Sequence, residues 1–141
     1  MAEQVEKAVL NFYLERTYPT WLTWRNARMG PVPPPSFLNV VPEEAAKYTG
    51  QFRYFADAVV SDGKKVVIIE CKVRRPIVGI GELLTYRDQF SNTPAFSAYK
   101  ELPVELELVT VFPDAQAQQT AEGQGIRFVV FEEGEKVLPS E

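Results

Sequence analysis

Asp57, Glu70 and Lys72 are the side chains of this chain whose types and spacing can do chemistry. Two carboxylates and an ammonium brought together can hold a hard divalent cation and offset developing negative charge. What brings them together is the stretch 53–75. Asp62-Gly63 lies between two β-branched runs, which predicts a hairpin with strands over about Phe52–Val60 and Lys65–Val73. With Asp62 and Gly63 as the whole loop, Ser61 faces Lys64 and Asp57 faces Ile68. Alternation then puts Asp57, Glu70 and Lys72 on one face, with Glu70 diagonal to Asp57 at about 7–8 Å between backbones. A loop of odd length would turn Asp57 to the opposite face.

The other face of this hairpin reads Ala56, Ala58, Val60, Val67, Ile69, Cys71 and Val73, all apolar. The charged face sets its three ionisable groups among Phe55, Val59, Val66 and Ile68. Isolated charges on so apolar a surface are costly. A shared metal ion is one explanation for keeping two acids and one base there; an ion-pair cluster on a half-exposed sheet is the other.

The remaining elements must hold that hairpin in place. Glu3–Arg16 reads as a helix with Val5, Ala8, Val9 and Phe12 as its buried stripe and Glu6 beside it as a solvated charge. Thr17–Gly50 reads as irregular, because six of the eleven prolines fall between Pro19 and Pro42. Trp21 and Trp24, near Arg25 and Arg28, suit packing against the core or a second subunit better than base stacking. Pro42–Tyr48 has the pattern of a short helix started by its proline. After the hairpin, Ile80–Phe90 reads as a helix with Ile80, Leu83, Leu84 and Phe90 facing inward and Glu82 and Tyr86 together on one flank. Ser91–Pro103 reads as a loop and Val104–Phe112 as a strand with Glu105 and Glu107 on one of its faces. Asp114 caps a short helix through Glu122, and Ile126–Phe131 closes the sheet. Strand, helix, strand implies parallel crossovers. The order as a whole predicts an α/β fold with a mixed central sheet and helices on both faces.

At 141 residues and 45% hydrophobic composition, the chain predicts one domain with a real core. No apolar run is long enough to span a bilayer, so no membrane partner is expected. One cysteine excludes an internal disulfide framework and fits a reducing, cytoplasmic setting. That single cysteine and the absence of histidine argue against zinc, which takes N and S ligands, and point to oxygen-bound Mg²⁺ or Mn²⁺. A net charge of −4 argues against nonspecific coating of nucleic acid. The charge is uneven, however: Arg53, Lys64, Lys65, Lys72, Arg74 and Arg75 crowd the hairpin, and acids crowd the tail at 132–141.

Asp57 followed by Glu70-Cys71-Lys72 on the next strand resembles the PD-(D/E)xK nucleases, the restriction-endonuclease-like superfamily. Ala56 stands where the family motif has proline. The helix with Glu82 and Tyr86 is similar to the one that carries a Gln and a Tyr four apart in the RecB-like branch, with Glu82 in the Gln position. The resemblance covers about 1–16 and 52–131 and implies a single nuclease-like domain with an irregular Pro/Trp-rich insertion at about 17–50. It implies a nuclease acting on DNA, with Asp57, Glu70 and Lys72 catalytic. One or two Mg²⁺ (or Mn²⁺) ions would be held by Asp57, Glu70 and the Cys71 carbonyl, with Glu6 as an extra ligand. Lys64, Lys65, Arg74, Arg75 and Tyr86 would contact DNA, and Glu82 is the weakest member of that set. The alternative is a catalytically silent protein on the same fold that binds DNA or assembles with other proteins or with itself.

Overall fold

Two β-branched runs, Tyr54–Ser61 (β2) and Val66–Cys71 (β3), pair antiparallel at the heart of the sheet. The computed structural model describes residues 2–31 and 54–139, and the short helix expected at 42–48 lies outside them. Among the described residues the sheet has five strands in the order β1-β2-β3-β4-β5. β1 is Leu22–Met29, antiparallel to β2; β4 (Val104–Thr110) and β5 (Ile126–Val130) run parallel to β3. Helix α1 (Ala2–Thr17) covers one face, while α2 (Val78–Phe90) and α3 (Ala115–Gly123) cover the other. The fold is thus α/β, a mixed five-stranded sheet with helices on both faces. Among the described residues no helix is long and apolar enough to cross a membrane.

The two cores follow from alternation along the strands. Val59, Val66, Ile68, Leu106 and Leu108 pack beneath Ile80, Leu83 and Phe90 of α2, whereas Val60, Val67, Ile69 and Val109 pack against Val9, Leu10, Tyr13 and Leu14 of α1. Side chains of this kind, fully removed from water, each contribute about 1.5–3 kcal/mol. The buried stripe of α1 is therefore Val9, Leu10, Tyr13 and Leu14, turned from the expected one, with Val5 and Phe12 only at its margin. The tail is also part of this layer. Glu132–Val137 forms a 3₁₀ turn beside α1, where Arg16 meets Glu133 at 3.2 Å.

The hairpin register differs from expectation by two residues: Ala58 faces Ile69 and Ser61 faces Val66. The loop has four residues because Asp62 folds back on the chain, its Oδ1 accepting the Lys64 and Lys65 amides at 2.9 and 3.1 Å. Ser61 Oγ accepts the Gly63 amide and donates to the Lys65 carbonyl, and Gly63 takes a φ of +87°. A slip of two keeps side-chain parity. The paired ladder ends at Ala58/Ile69, and just beyond it Asp57 and Glu70–Cys71 meet through side-chain hydrogen bonds.

β1 lies inside the stretch read as irregular. It is an edge strand, largely exposed, so Leu-Thr-Trp-Arg-Asn-Ala-Arg-Met lacks a clean apolar alternation. Trp24 packs edge-on to Phe96 and Tyr99 with ring centres 5.1 and 5.3 Å away, and Trp21 sits 4.8 Å from Tyr18. Both indoles are packing residues. Within the expected loop, Pro94–Tyr99 is a 3₁₀ turn that seats Phe96 in the core. Asp114 caps α3 as expected, accepting the Ala117 amide at 3.0 Å.

Candidate active site

Where the β2–β3 ladder ends, the two strands are joined by their own carboxylates. Glu70 Oε1 accepts the Asp57 amide and Asp57 Oδ2 accepts the Cys71 amide, each at 2.8 Å. The neighbouring edge strand breaks step at the same level. Arg25 pairs with Ala58 and Ala27 with Ala56, while Asn26 between them has a φ of +49° and stays out of the ladder. This irregularity also corrects one face assignment, since Ala56 joins the α2-side core while Ala58 stays on the α1 side. Asn26 and Asp57 line one cleft at this level, while Glu70 stays buried behind it.

Lys72 follows Glu70 by two residues, and its Nζ lies 3.8 Å from Glu70 Oε2 and 2.9 Å from Glu82 Oε1. Helix α2 reaches this close because Gly79 faces the strand. A Cβ there would come within 2.7 Å of Leu108 Cδ1 and 3.3 Å of Lys72 Cγ. Gly79→Ala is therefore expected to cost about 1–3 kcal/mol in thermal or denaturant unfolding and to displace Lys72 from its partners. Unchanged stability would show that α2 can back away freely.

Glu6 is not the free surface charge expected. It is half-buried on the inward side of α1 and accepts the Val73 amide at 3.2 Å. Its position one turn before Val9 and Leu10 was the signal that it faces inward.

The electrostatics are those of an under-compensated acidic cluster. Burial first, and the Asp57 charge second, push the Glu70 carboxyl up to about 9. Burial also raises Asp57, against the pull of the Cys71 amide and Lys72, and raises Glu6 against the Val73 amide. Burial works to lower Lys72, but the hydrogen bond and charge of Glu82, with the charge of Glu70, hold it above an ordinary lysine. The Cys71 thiol is buried in the α1-side core and burial pushes its pKa up, so it is an inert packing group.

Other expected contacts fall elsewhere. Lys64 and Lys65 sit at the loop end of the hairpin, about 15 Å along the strands from Asp57 and Glu70, and Lys65 is paired with Glu105 at 3.1 Å. Neither can touch a phosphate held between the two acids. Arg74 and Arg75, exposed just past β3, are at the correct end. Tyr86 is not on a DNA-facing rim: its ring fills the core and its hydroxyl lies 2.9 Å from the Phe55 carbonyl oxygen and 3.3 Å from Glu82 Oε2.

A cleft of about 560 Å³ opens beside Asp57, lined by Glu3, Glu6, Lys7, Asn11, Arg25 and Asn26, among others. Arg25 also bonds Asn11 across it. Sequence reasoning missed this wall, although Glu3, Lys7 and Asn11 recur at helical spacing along one polar edge of α1.

Among the described residues no three Asp, Glu, Cys or His side chains close around a point as a ready metal cage. The donor set nevertheless suits a hard cation. One oxygen of Asp57 and one of Glu70 are taken by amides, and among the described residues Oδ1 and Oε2 accept no hydrogen bond. Mg²⁺ commonly binds through one or two carboxylates, with water and substrate phosphate completing its shell. No known family model matches this chain, and no curated protein matches it in sequence.

Proposed function

We propose that this chain is a divalent-cation-dependent nuclease that hydrolyses DNA phosphodiester bonds on a restriction-endonuclease-like fold of the PD-(D/E)xK type. The observation that carries this reading is the interlocked pair Asp57 and Glu70 at the open end of the β2–β3 ladder, with the Lys72 ammonium 3.8 Å from Glu70. A salt bridge kept for stability would be neutralised by its own partners. Here two buried or half-buried acids face one half-buried lysine that is shared with a third.

Asp57 Oδ1 and Glu70 Oε2 are the atoms suited to hold Mg²⁺ or Mn²⁺, one or two ions, with the Cys71 carbonyl and Glu6 as further ligands. Such an ion, when bound, supplies Lewis acidity toward phosphate and a water of lowered pKa. Lys72, protonated at neutral pH, offsets the negative charge that gathers on the phosphate oxygens instead of acting as a base. Arg74 and Arg75, exposed at the same end, grip flanking phosphates as point charges.

The test is cleavage of plasmid, linear, single-stranded and branched DNA with Mg²⁺ or Mn²⁺. Asp57→Asn and Lys72→Ala are each expected to lower the rate by at least about 10²–10³-fold, as loss of a transition-state contact does. Equal rates in these variants would refute the site. DNA binding without any cleavage by the wild type would favour the silent, binding-only alternative.

A further inference from the structure

Lys72 lies between two carboxylates and is bonded to only one of them. Its Nζ is 2.9 Å from Glu82 Oε1, a charge-assisted hydrogen bond, and 3.8 Å from Glu70 Oε2, beyond hydrogen-bond reach. Glu82 is itself braced. The Tyr86 hydroxyl, one turn along α2, sits 3.3 Å from Glu82 Oε2 and 2.9 Å from the Phe55 carbonyl oxygen, sharing its one proton between them. Phe55 is on β2, two residues before Asp57. A continuous polar chain therefore runs from the backbone of β2 through Tyr86 and Glu82 to Lys72.

Without Glu82 the ammonium would keep only its longer ion pair, with Glu70. After Glu82, the acids whose charges act most on Lys72 are Glu70 and then Glu6, with Asp57 also in range. A flexible lysine stem with one strong bond removed moves to the next acid. There it would neutralise Glu70 Oε2, one of the two oxygens that suit a divalent cation, and any cation would have to displace it. Resting on the nuclease reading above, we infer that Glu82 is a positioning residue that holds the Lys72 ammonium off the Asp57–Glu70 pair and so keeps that pair free for a divalent cation. Tyr86 fixes Glu82 in the orientation this requires. In this role an acidic side chain is better than an amide, because it neutralises the lysine it holds.

Glu82 is about one-third exposed, with a side-chain accessibility of 35%, so its replacement is compatible with folding, which a thermal melt checks. Calorimetric titration of MnCl₂ into wild type, Glu82→Ala, Glu82→Gln and Tyr86→Phe is the first measurement. Partners that orient ligands from behind typically change metal affinity by about 10–100-fold when removed, and Glu82→Ala is expected to lose affinity in that range. Glu82→Gln keeps an acceptor for Lys72 and retains a larger share; Tyr86→Phe falls between Glu82→Ala and wild type. In DNA cleavage the Glu82→Ala loss is expected to shrink as Mn²⁺ is raised, with KM for DNA little changed. The second measurement is a crystal structure of Glu82→Ala without metal, expected to show the ammonium moved from 3.8 Å to within hydrogen-bond distance of Glu70 Oε2. Mn²⁺ affinity equal to wild type, or a Lys72 that stays in place, overturns the inference. If the wild type takes up no Mn²⁺, the nuclease reading falls instead, and the Glu82→Ala structure still decides what holds Lys72.

Discussion

Glu70→Gln is expected to abolish DNA cleavage, by at least about 10³-fold, and at the same time to make the metal-free protein more stable at alkaline pH. Few substitutions in a buried sheet do both. The reason is that burial and the neighbouring Asp57 push the Glu70 carboxyl from its ordinary 4.5 up to about 9. The folded chain then holds a proton there that the unfolded chain releases above its ordinary range. The stability this proton brings is complete below about pH 4.5 and is lost as pH rises toward about 9. Across that window the loss amounts to a few kcal/mol, since each tenfold change in proton affinity is worth about 1.4 kcal/mol and relaxation of the site reduces the sum. Gln has the shape of the protonated acid and no charge to develop. Denaturant melts in a chelating buffer should therefore coincide for wild type and Glu70→Gln near pH 5 and separate in favour of the variant near pH 9. A variant less stable than wild type at pH 9 would show that Glu70 is a compensated structural acid.

Glu107→Ala is expected to do the reverse, destabilising the fold by about 1–3 kcal/mol for each buried tyrosine hydroxyl that loses its acceptor, without taking part in the proposed chemistry. Glu107 lies one strand away on β4 and is as buried as Glu70, at 1% and 2% exposure respectively. Its carboxylate, however, is fully matched. Tyr13 and Tyr18 donate their hydroxyls to it, Tyr18 at 2.9 Å to Oε2, and Arg127 donates at 2.8 Å. Removing it leaves two buried hydroxyls without their acceptor, while the half-exposed Arg127 keeps its pairing with Glu105. Urea unfolding at neutral pH measures this directly, and a change under about 1 kcal/mol would mean that water replaces the acid. The two glutamates separate structure from function by one criterion. The matched one stabilises the fold, and the unmatched one remains available to a ligand.

How far the sequence already showed this depends on the range of the interactions involved. The hairpin, α2 and the Asp114 cap were legible because β-branched runs, Asp-Gly and the helical spacing of Ile80, Leu83 and Phe90 are local signals. The register slipped by two because Asp62 and Ser61 built a four-residue loop from side-chain bonds to their own backbone, which the dipeptide alone does not specify. A slip of two kept parity as far as Ala58, so the nearness of Asp57 and Glu70 was legible, but the break in alternation across Asp57, beside Asn26, was not. β1 escaped notice because an edge strand needs only one buried side. The Glu107 network was out of reach altogether, since Tyr13 and Tyr18 meet it from more than eighty positions away, at separations of 94 and 89. The helical spacing of Tyr86 is compatible with a surface flank, and only the depth of α2 against β2 and β3 decides that its ring faces inward.

Calorimetric titration of Mn²⁺ into the wild type and Asp57→Asn near pH 7.5, repeated in two buffers of different ionisation enthalpy, tests the central assignment most directly. Uptake by the wild type with release of about one proton, as Glu70 gives up the one that burial holds on it, and its loss in Asp57→Asn, is the expected result. Uptake unchanged by Asp57→Asn, or no uptake by either protein, would contradict it.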